Sequence, residues 1–264
     1  MVTAESVTQL GDVRGKVLVA GSHAGVIAAY LGAAAGAHAL ILNDAGLGLD
    51  RAGIAGLAYL DAIGMAAAAV DCRSARIGDG ADMQARGVIS HANLHAARCG
   101  VVSGQSCVEA AGRLGRAAPR RREPPPYAEG RWRLAEGPPE VWALDSIGKV
   151  VPEDEGRILV IGSHGALHGG RPESALPVNA RAAVFHDAGI GADRIGVSRL
   201  PVLGRRGIPA ATVDGASARI GDGRSLWATG RLSWINAPAQ GLGLSAGMSV
   251  AMFAERAGKA QKPG

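Results

Sequence analysis

The sequence predicts an α/β protein built by tandem duplication of a unit with a parallel β-sheet, giving two halves related by a pseudo-two-fold axis. The heptapeptide SARIGDG occurs without change at 74–80 and at 217–223. Further motifs recur in the same order at nearly constant spacing, which is the signature of an internal repeat. Short apolar runs alternate with segments of helical spacing, a pattern typical of parallel sheets with right-handed crossovers.

The other repeated motifs define the unit. GKVLVAGSHAG at 15–25 resembles GRILVIGSHGA at 156–166, an offset of 141 residues. LILNDAGLGLDRAGI at 40–54 resembles AVFHDAGIGADRIGV at 183–197, and this offset of 143 is shared by the heptapeptide. The second copy therefore carries a net insertion of two residues after its first motif, and each copy spans roughly 100 residues.

These motifs divide the chain into three segments. We predict a first α/β repeat at 1–114, a Pro- and Arg-rich linker at 115–150 and a second α/β repeat at 151–264. The net charge of the chain is +5, and residues 113–133, with seven Arg and two Glu, account for it. Because the basic charge is confined to one segment, it does not indicate a nucleic-acid-binding fold. A basic arm for an acidic partner is the alternative interpretation of the linker.

Each repeat alternates strands and helices, with one difference between the copies. AGVIAAYLGAAAG predicts an Ala-rich helix after the first strand of the first copy. Its counterpart, GALHGGRPESALPVNA, contains two prolines and adjacent glycines, which predict a loop. This loop is a candidate lid or specificity loop, and an eroded surface helix is the alternative. The predicted strands are KVLVA, HALILN, MAAAAVD and GVIS in the first copy, and RILVI, AAVFH, IPAATVD and GRLSW in the second.

Polar residues shared by both copies follow the predicted strands. Ligands of open α/β sheets bind beyond the carboxyl ends of the strands, so we expect these residues to line one or two pockets there. The predicted catalytic residues are Ser22, His23, Asp44, Ser163, His164 and Asp187. The predicted substrate-binding residues are Ser74, Arg76, Asp79, Asn93, Ser217, Arg219, Asp222 and Asn236.

The paired histidines are the candidate acid/base groups, and the aspartates after the second strands would orient them. Neighbouring Ser and His side chains rarely face each other, so a serine of one copy would act with the histidine of the other. A helix N-cap is the structural alternative for Ser22. Five histidines without a counterpart in the other copy are treated as secondary: His38, His91, His95, His168 and His186.

The two repeated arginines, Arg76 and Arg219, offer a planar fork that suits a carboxylate. The structural alternative is an Arg–Asp pair that fixes the loop, with Asp79 capping the helix that follows. Sequence alone does not separate these two interpretations.

Several classes of protein are disfavoured. GSHAG matches neither a Walker A loop nor a dinucleotide-binding motif, so no cofactor is expected, and a divalent ion held by His and Asp is the alternative. The three cysteines form no CxxC pair and are expected to be buried reduced thiols. Without a signal peptide or an apolar run of membrane-spanning length, we expect a cytoplasmic protein that binds no membrane and no nucleic acid. A homo-oligomer is expected, as for most compact enzymes.

The resulting functional hypothesis is an enzyme acting on a small carboxylate- or carbonyl-bearing metabolite, and a hydrolase in particular. Histidine would act as acid/base, and arginine would recognise an anionic substrate at the carboxyl ends of the strands. The alternative is a non-catalytic module that binds a small anion or a partner subunit.

Overall fold

The computed structural model describes residues 1–260, which form two β-sheets interleaved with helices. This architecture confirms the prediction of an α/β protein. We call residues 1–114 the first half and residues 131–260 the second half. No helix among residues 1–260 is both long and apolar enough to span a lipid bilayer.

The first half contains a sheet of five strands in the order β1-β2-β3-β4-β5. Its strands are β1 (Val2–Ala4), β2 (Val17–His23), β3 (Ala39–Asn43), β4 (Ala67–Val70) and β5 (Ile89–Ala92). Its helices are α1 (Val26–Ala34), α2 (Ala55–Ala62), α3 (Gly80–Arg86), α4 (Leu94–Arg98) and α5 (Cys107–Leu114).

The second half contains a sheet of six strands in the order β11-β10-β9-β8-β7-β6. Its strands are β6 (Arg131–Ala135), β7 (Val141–Leu144), β8 (Ile158–His164), β9 (Ala182–His186), β10 (Ala210–Val213) and β11 (Leu232–Ile235). Its helices are α6 (Arg199–Arg205), α7 (Gly223–Thr229), α8 (Ala237–Gly241) and α9 (Val250–Lys259).

The sheets are not wholly parallel, which corrects the prediction of an all-parallel unit. Strands β1 to β4 run parallel, as do β7 to β10, but β5 is antiparallel to β4 and β11 is antiparallel to β10. The short connection between β4 and β5 explains why β5 is antiparallel to β4. The Asp71 N–H, just past the end of β4, donates to the Val88 carbonyl at 2.9 Å, so β5 begins at the edge where β4 ends. Helix α3, seven residues long, does not return the chain to the opposite edge as a parallel crossover requires.

Part of the segment predicted as a linker belongs to the second sheet. Strand β7 pairs in parallel with β8, and β6 pairs with β7 on the outer edge. Val141, Ala143 and Leu144 are buried against the sheet. The prolines and arginines nearby obscured this short apolar run, so the connection between the halves narrows to about residues 115–130.

Both faces of each sheet are covered. The central strands β2, β3 and β4, and likewise β9 and β10, have only buried residues, which is why they occur in the sequence as uninterrupted apolar runs. Alanines dominate β4, so the helices pack close to this part of the sheet. The loop predicted in place of a second-half helix contains two single 3₁₀ turns, His168–Gly170 and Pro172–Ser174.

Two asparagines, Asn93 and Asn236, each link the end of the preceding antiparallel strand to the start of the adjacent strand. The linked pairs are β5 with β4 and β11 with β10. The Oδ1 of Asn236 accepts hydrogen bonds from the N–H groups of Ala210 and Ala239, and its Nδ2 donates to the Ile208 carbonyl at 2.8 Å. Asn93 makes the equivalent bonds in the first half. Both amides are buried, so each satisfies backbone groups that water does not reach.

We predict that Asn236→Ala lowers the free energy of unfolding by about 3 kcal/mol, because buried backbone groups then lose their partners. Ser249→Ala is the matched control, since Ser249 caps α9 through one exposed hydrogen bond and should cost about 1 kcal/mol. Urea unfolding followed by circular dichroism measures both. Equal losses in the two variants would contradict this role for Asn236.

Candidate functional site

A cavity of about 270 Å³ lies between the two halves, where β2 and β8 end. The structure brings together here four of the residues predicted to be catalytic: Ser22, His23, Ser163 and His164. Each Ser-His pair occupies the last two positions of its strand, so the two pairs approach from opposite halves. The cavity is also lined by Ile27, Ala28 and Leu31 of α1, by Glu129 of the segment that connects the halves, and by Ser146, His168, Glu173 and Ser174 of the second half.

The two serines have the same structural role. The Oγ of Ser22 accepts a hydrogen bond from the Val7 N–H at 3.0 Å, and the Oγ of Ser163 accepts one from the Ile147 N–H at 2.9 Å. Each serine thereby fixes the segment that follows the first strand parallel to its own, β1 or β7. The hydroxyl hydrogen of each serine remains a donor that can point into the cavity.

His23 is buried and uncharged at neutral pH. Its Nδ1 accepts a hydrogen bond from the Gly25 N–H at 3.1 Å, so the proton of the neutral ring lies on Nε2. Burial, together with a smaller contribution from charge repulsion by His186, lowers the pKa of His23 to about 4. A neutral imidazole in this place can accept a proton at Nδ1 only after the Gly25 bond breaks, but it can donate one from Nε2 directly.

The imidazole rings of His164 and His168 lie next to each other in the cavity wall. Their ring centroids lie 5.6 Å apart in an edge-to-face arrangement. Burial is the main cause that lowers the pKa of His164 well below its usual value, with the charges of His168 and Arg199 adding to it. Burial, together with the positive charges of Arg199 and Arg171, lowers the pKa of His168 to about 4. Both rings are therefore neutral at pH 7 and able to exchange protons with a ligand.

One carboxyl group completes the polar wall. Burial raises the pKa of Glu129, and the neighbouring Ser146 hydroxyl acts in the opposite direction. A carboxyl group with a raised pKa suits general acid chemistry more than a fully exposed one does.

The repeated arginines do not line this cavity. Arg76 donates to the carboxylate of Asp82 at 2.8 Å, and its Nε lies 3.8 Å from Asp193 in the second half. Arg219 contacts Asp50 of the first half, with Nη2 at 2.6 Å from the carboxylate. These guanidinium groups are thus paired with carboxylates, and part of that pairing links the two halves.

The first of the two glycines in SARIGDG lies against a cavity histidine of the other half. Gly78 and Gly221 have φ values of +84° and +79°, a conformation that favours glycine. A Cβ at Gly221 would lie 3.2 Å from Cε1 of His23, and a Cβ at Gly78 would lie 3.7 Å from Cε1 of His164. Each histidine therefore packs on the heptapeptide of the other half.

A second contact between the halves lies at the Asp-Ala-Gly loops. A Cβ at Gly46 would lie 2.8 Å from the Cα of Gly189. The Leu49 N–H donates to the Gly215 carbonyl at 2.8 Å, and the Ala192 N–H donates to the Cys72 carbonyl at 2.7 Å. In both loops, non-glycine residues adopt positive φ, which is energetically costly and persists only where the surroundings impose it; they are Ala45, Leu47, Asp50, Arg51, Ala188, Ile190, Asp193 and Arg194.

Several predicted site residues lie elsewhere. The carboxylates of Asp44 and Asp187 accept hydrogen bonds from backbone N–H groups of their own loops and of the loops after β4 and β10, respectively. Neither lines the histidine cavity, so the expectation that they orient His23 and His164 does not match their positions. Asn93 and Asn236 lie at the opposite end of the sheets, because the strand before each of them is antiparallel.

The remaining SARIGDG positions hold the loop itself. Ser74 and Ser217 bond the carbonyls of Asp71 and Asp214 at 2.7 Å. The carboxylates of the repeated aspartates accept the N–H bonds that begin α3 and α7, which is the capping alternative raised from the sequence; these residues are Asp79 and Asp222.

One cluster has the residue types of a metal site. Ligand atoms of Asp44, Asp71 and Cys72 lie within 4.8 Å of one another. However, Arg73 pairs with Asp71 at 2.7 Å, and burial raises the pKa of the Cys72 thiol to about 12. A protonated thiol and a carboxylate already paired with a cation are poor metal ligands, so we assign no metal to this cluster.

Sequence reasoning missed three groups near the cavity. His168 and Glu129 were not among the predicted site residues, because neither belongs to a motif that both repeats share. Arg199 is fully buried behind His164, where the aligned position of the first half is Gly56. In the sequence, the presence of Arg199 where the first repeat has Gly56 was the feature that could have pointed to this residue.

Comparison of the chain with models of protein families, with curated proteins and with solved structures finds no match. Functional inference therefore depends on the geometry of the cavity.

We predict that stability falls as the pH is lowered from 6.5 towards 4. In that interval the unfolded chain binds protons at His23 and His168, whereas the folded protein binds them only near pH 4. Each histidine contributes up to about 3 kcal/mol to the loss at pH 4. Urea unfolding at several pH values should show a shallower decline for His23→Asn. His95→Asn, outside the cavity, is the control and should follow the unmodified protein; a His23→Asn curve of unchanged slope would contradict the prediction.

We predict that the pair of Arg219 and Asp50 contributes less than about 1 kcal/mol to stability, because both side chains are about half exposed and solvent screens them. A double-mutant cycle of Arg219→Ala and Asp50→Ala, measured by urea unfolding, gives the coupling energy. A coupling energy near zero together with loss of ligand binding in Arg219→Ala alone would instead favour a role for Arg219 in recognition.

Proposed function

We propose that the protein is an enzyme, a hydrolase, which binds a small carbonyl- or carboxylate-bearing molecule in the cavity between the halves. The observation that carries this proposal is the meeting of both Gly-Ser-His motifs at one cavity. The imidazoles there are held neutral by burial, and a half-buried carboxyl group with a raised pKa lines the same cavity. Perturbed titratable groups that converge on a cavity are typical of acid/base catalysis.

In this proposal a neutral imidazole of the second half, His164 or His168, removes a proton from a water molecule as the water attacks the carbonyl carbon, and His23 donates from Nε2 to the ligand. The same proton then passes to the leaving group, which restores the neutral imidazole. The serine oxygens already accept backbone N–H bonds, so their hydroxyls are assigned to donate to the carbonyl oxygen of the ligand. Charge developing on that oxygen would be stabilised by these donors.

We also propose that the chain arose by tandem duplication and that its halves are related by a pseudo-two-fold axis. Corresponding strands have the same order and the same relative directions in the two sheets. The contacts between the halves are reciprocal as well: Leu49 with Gly215, and Ala192 with Cys72, are aligned pairs with their roles exchanged. Both facts support a unit that first formed a symmetric pair.

The second candidate is a non-catalytic module. The observation that favours it is the pairing of Arg76 and Arg219 with carboxylates. If the repeated residues are retained to join the halves, their repetition gives no evidence of catalysis. This candidate predicts ligand binding in the cavity without turnover.

The two candidates are separated by a substrate screen with matched variants. Purified protein is incubated with lactones, cyclic amides, simple esters and N-acyl amino acids, and hydrolysis is followed by proton NMR. We predict that His23→Asn and His164→Asn lower kcat by about 100-fold or more with smaller changes in KM, as expected for loss of proton transfer. His95→Asn is the control for general effects of a histidine substitution.

Full turnover in both cavity variants on a substrate of the unmodified protein would exclude proton transfer by these histidines. Saturable binding of compounds from the panel, with no hydrolysis of any of them, would favour the non-catalytic module.

A further inference from the structure

Arg199, the first residue of α6, carries a buried positive charge that the rest of the chain does not neutralise. Its side chain is fully buried. Nη1 donates to the carbonyls of Ser174 and Ala175, the latter at 2.5 Å, and Nε lies 3.4 Å from the His164 carbonyl. Among residues 1–260 no carboxylate forms an ion pair with Arg199, and Nη2 has no hydrogen-bond partner.

The aligned position in the first half shows what Arg199 replaces. A Cβ at Gly56 would lie 2.6 Å from the Gly25 carbonyl, because α1 packs directly against α2 there. The second half has no helix at that place, and the guanidinium group with the surrounding loop fills the space instead. The loss of the helix and the gain of the arginine are therefore one structural change.

Carbonyl oxygens satisfy hydrogen bonds but do not neutralise a cation. Removing a guanidinium group from water is costly unless a compensating negative charge lies near it. Burial lowers the pKa of Arg199 to about 9, so the group still carries its charge at neutral pH. The guanidinium Cζ also lies 5.4 Å from the centroid of the Phe185 ring, a contact that favours a cation but supplies no negative charge. A fully buried cation that has no carboxylate partner and lies next to a cavity therefore favours an anion there.

Arg199 lies directly behind the polar wall of the cavity. Two of its carbonyl partners belong to His164 and Ser174, which line the cavity. The positive charge of Arg199 acts on both His164 and His168, lowering the pKa of each. Neutral imidazoles and hydroxyls separate Arg199 from the cavity, and none of them supplies a negative charge.

Two acidic residues of the lining do not provide the missing charge. Glu129 forms no ion pair with Arg199 in the part of the chain that the structure describes, and burial raises the pKa of its carboxyl group. Glu173 is 72% exposed and lies 3.5 Å from Arg171, so its charge is directed towards solvent and another cation.

We propose that the cavity selects a carboxylate anion and that Arg199 is the residue that determines this preference. The ligand carboxylate lies among His164, His168 and Ser174 and compensates the charge of Arg199 across this thin wall. This inference depends on the cavity being the binding site, as in the proposed function, but not on hydrolysis. It assigns to Arg199 the anion recognition that the sequence suggested for Arg76 and Arg219.

The test compares acetate with its neutral isostere acetamide. Both are titrated at pH 7 and constant ionic strength, with sodium chloride as the ion control, while the imidazole resonances of ¹⁵N-labelled protein are followed by NMR. His164 and His168 are assigned from their asparagine variants. We predict saturable shifts of both residues with acetate, and an affinity for acetamide weaker by about tenfold or more.

The variant R199M should reduce acetate affinity by about tenfold or more and remove the preference over acetamide. R206M is the matched control, because Arg206 donates to the Leu176 and Val178 carbonyls of the same loop and makes no hydrogen bond to the cavity lining within residues 1–260. It should keep the affinity and the preference. R199K keeps the positive charge and should keep the preference, which provides the comparison if R199M does not fold.

Equal affinities for acetate and acetamide in the unmodified protein, or no shift with either, would overturn the proposal. Unchanged acetate affinity in folded R199M, or loss of the preference in R199K, would do the same. Selective acetate binding without turnover in the substrate screen would leave this inference standing and count against the hydrolase. Turnover of neutral substrates without acetate preference would do the reverse.

Discussion

The close approach of Gly46 and Gly189 fixes how the two halves meet. A single methyl group at Gly46 would come within 2.8 Å of the opposing Cα, closer than such atoms approach in proteins. The backbone hydrogen bonds that flank this contact and the packing of His23 on Gly221 both require the same separation. A larger residue at Gly46 would push the halves apart and open the cavity. The costly positive φ values of the two loops are sustained by this contact.

Repetition within the sequence identified which residues both halves need, but not for what purpose. Each Ser-His pair was expected at the carboxyl end of its own sheet, in one or two pockets, because each pair follows a parallel strand. Their meeting at one cavity depends on how the two sheets pack together, which the strand pattern does not specify. Arg76 and Arg219 had the same pattern, yet their partners are carboxylates, partly of the opposite half. A contact between duplicated halves preserves a motif in both copies just as a ligand would. Sequence alone could not separate these two causes.

The errors in the predicted fold have local physical origins. The direction of β5 and β11 depends on the edge of the sheet at which the preceding helix ends. The amino-acid composition of these strands does not indicate that edge. The predicted positions of Asn93 and Asn236 were wrong as a direct consequence. Strands β6 and β7 were missed because flanking prolines and charges dominate a short apolar run. The buried Arg199 was not predicted as a site residue because it differs between the halves, whereas the predicted site residues are those that both repeats share.

The walls of the cavity differ, although the Ser-His pairs that it receives are alike. Helix α1 presents Ile27, Ala28 and Leu31 on one side, and the loop of the second half presents His168 and Ser174 on the other. Under the proposed function, a small molecule bound between them would have one preferred orientation, with its apolar part against the helix. Its mirror image would not make the same set of contacts with the helix, the loop and the two imidazoles at once. Because the second half has no helix at this place, the cavity is asymmetric, and a ligand-binding role would make it selective between enantiomers.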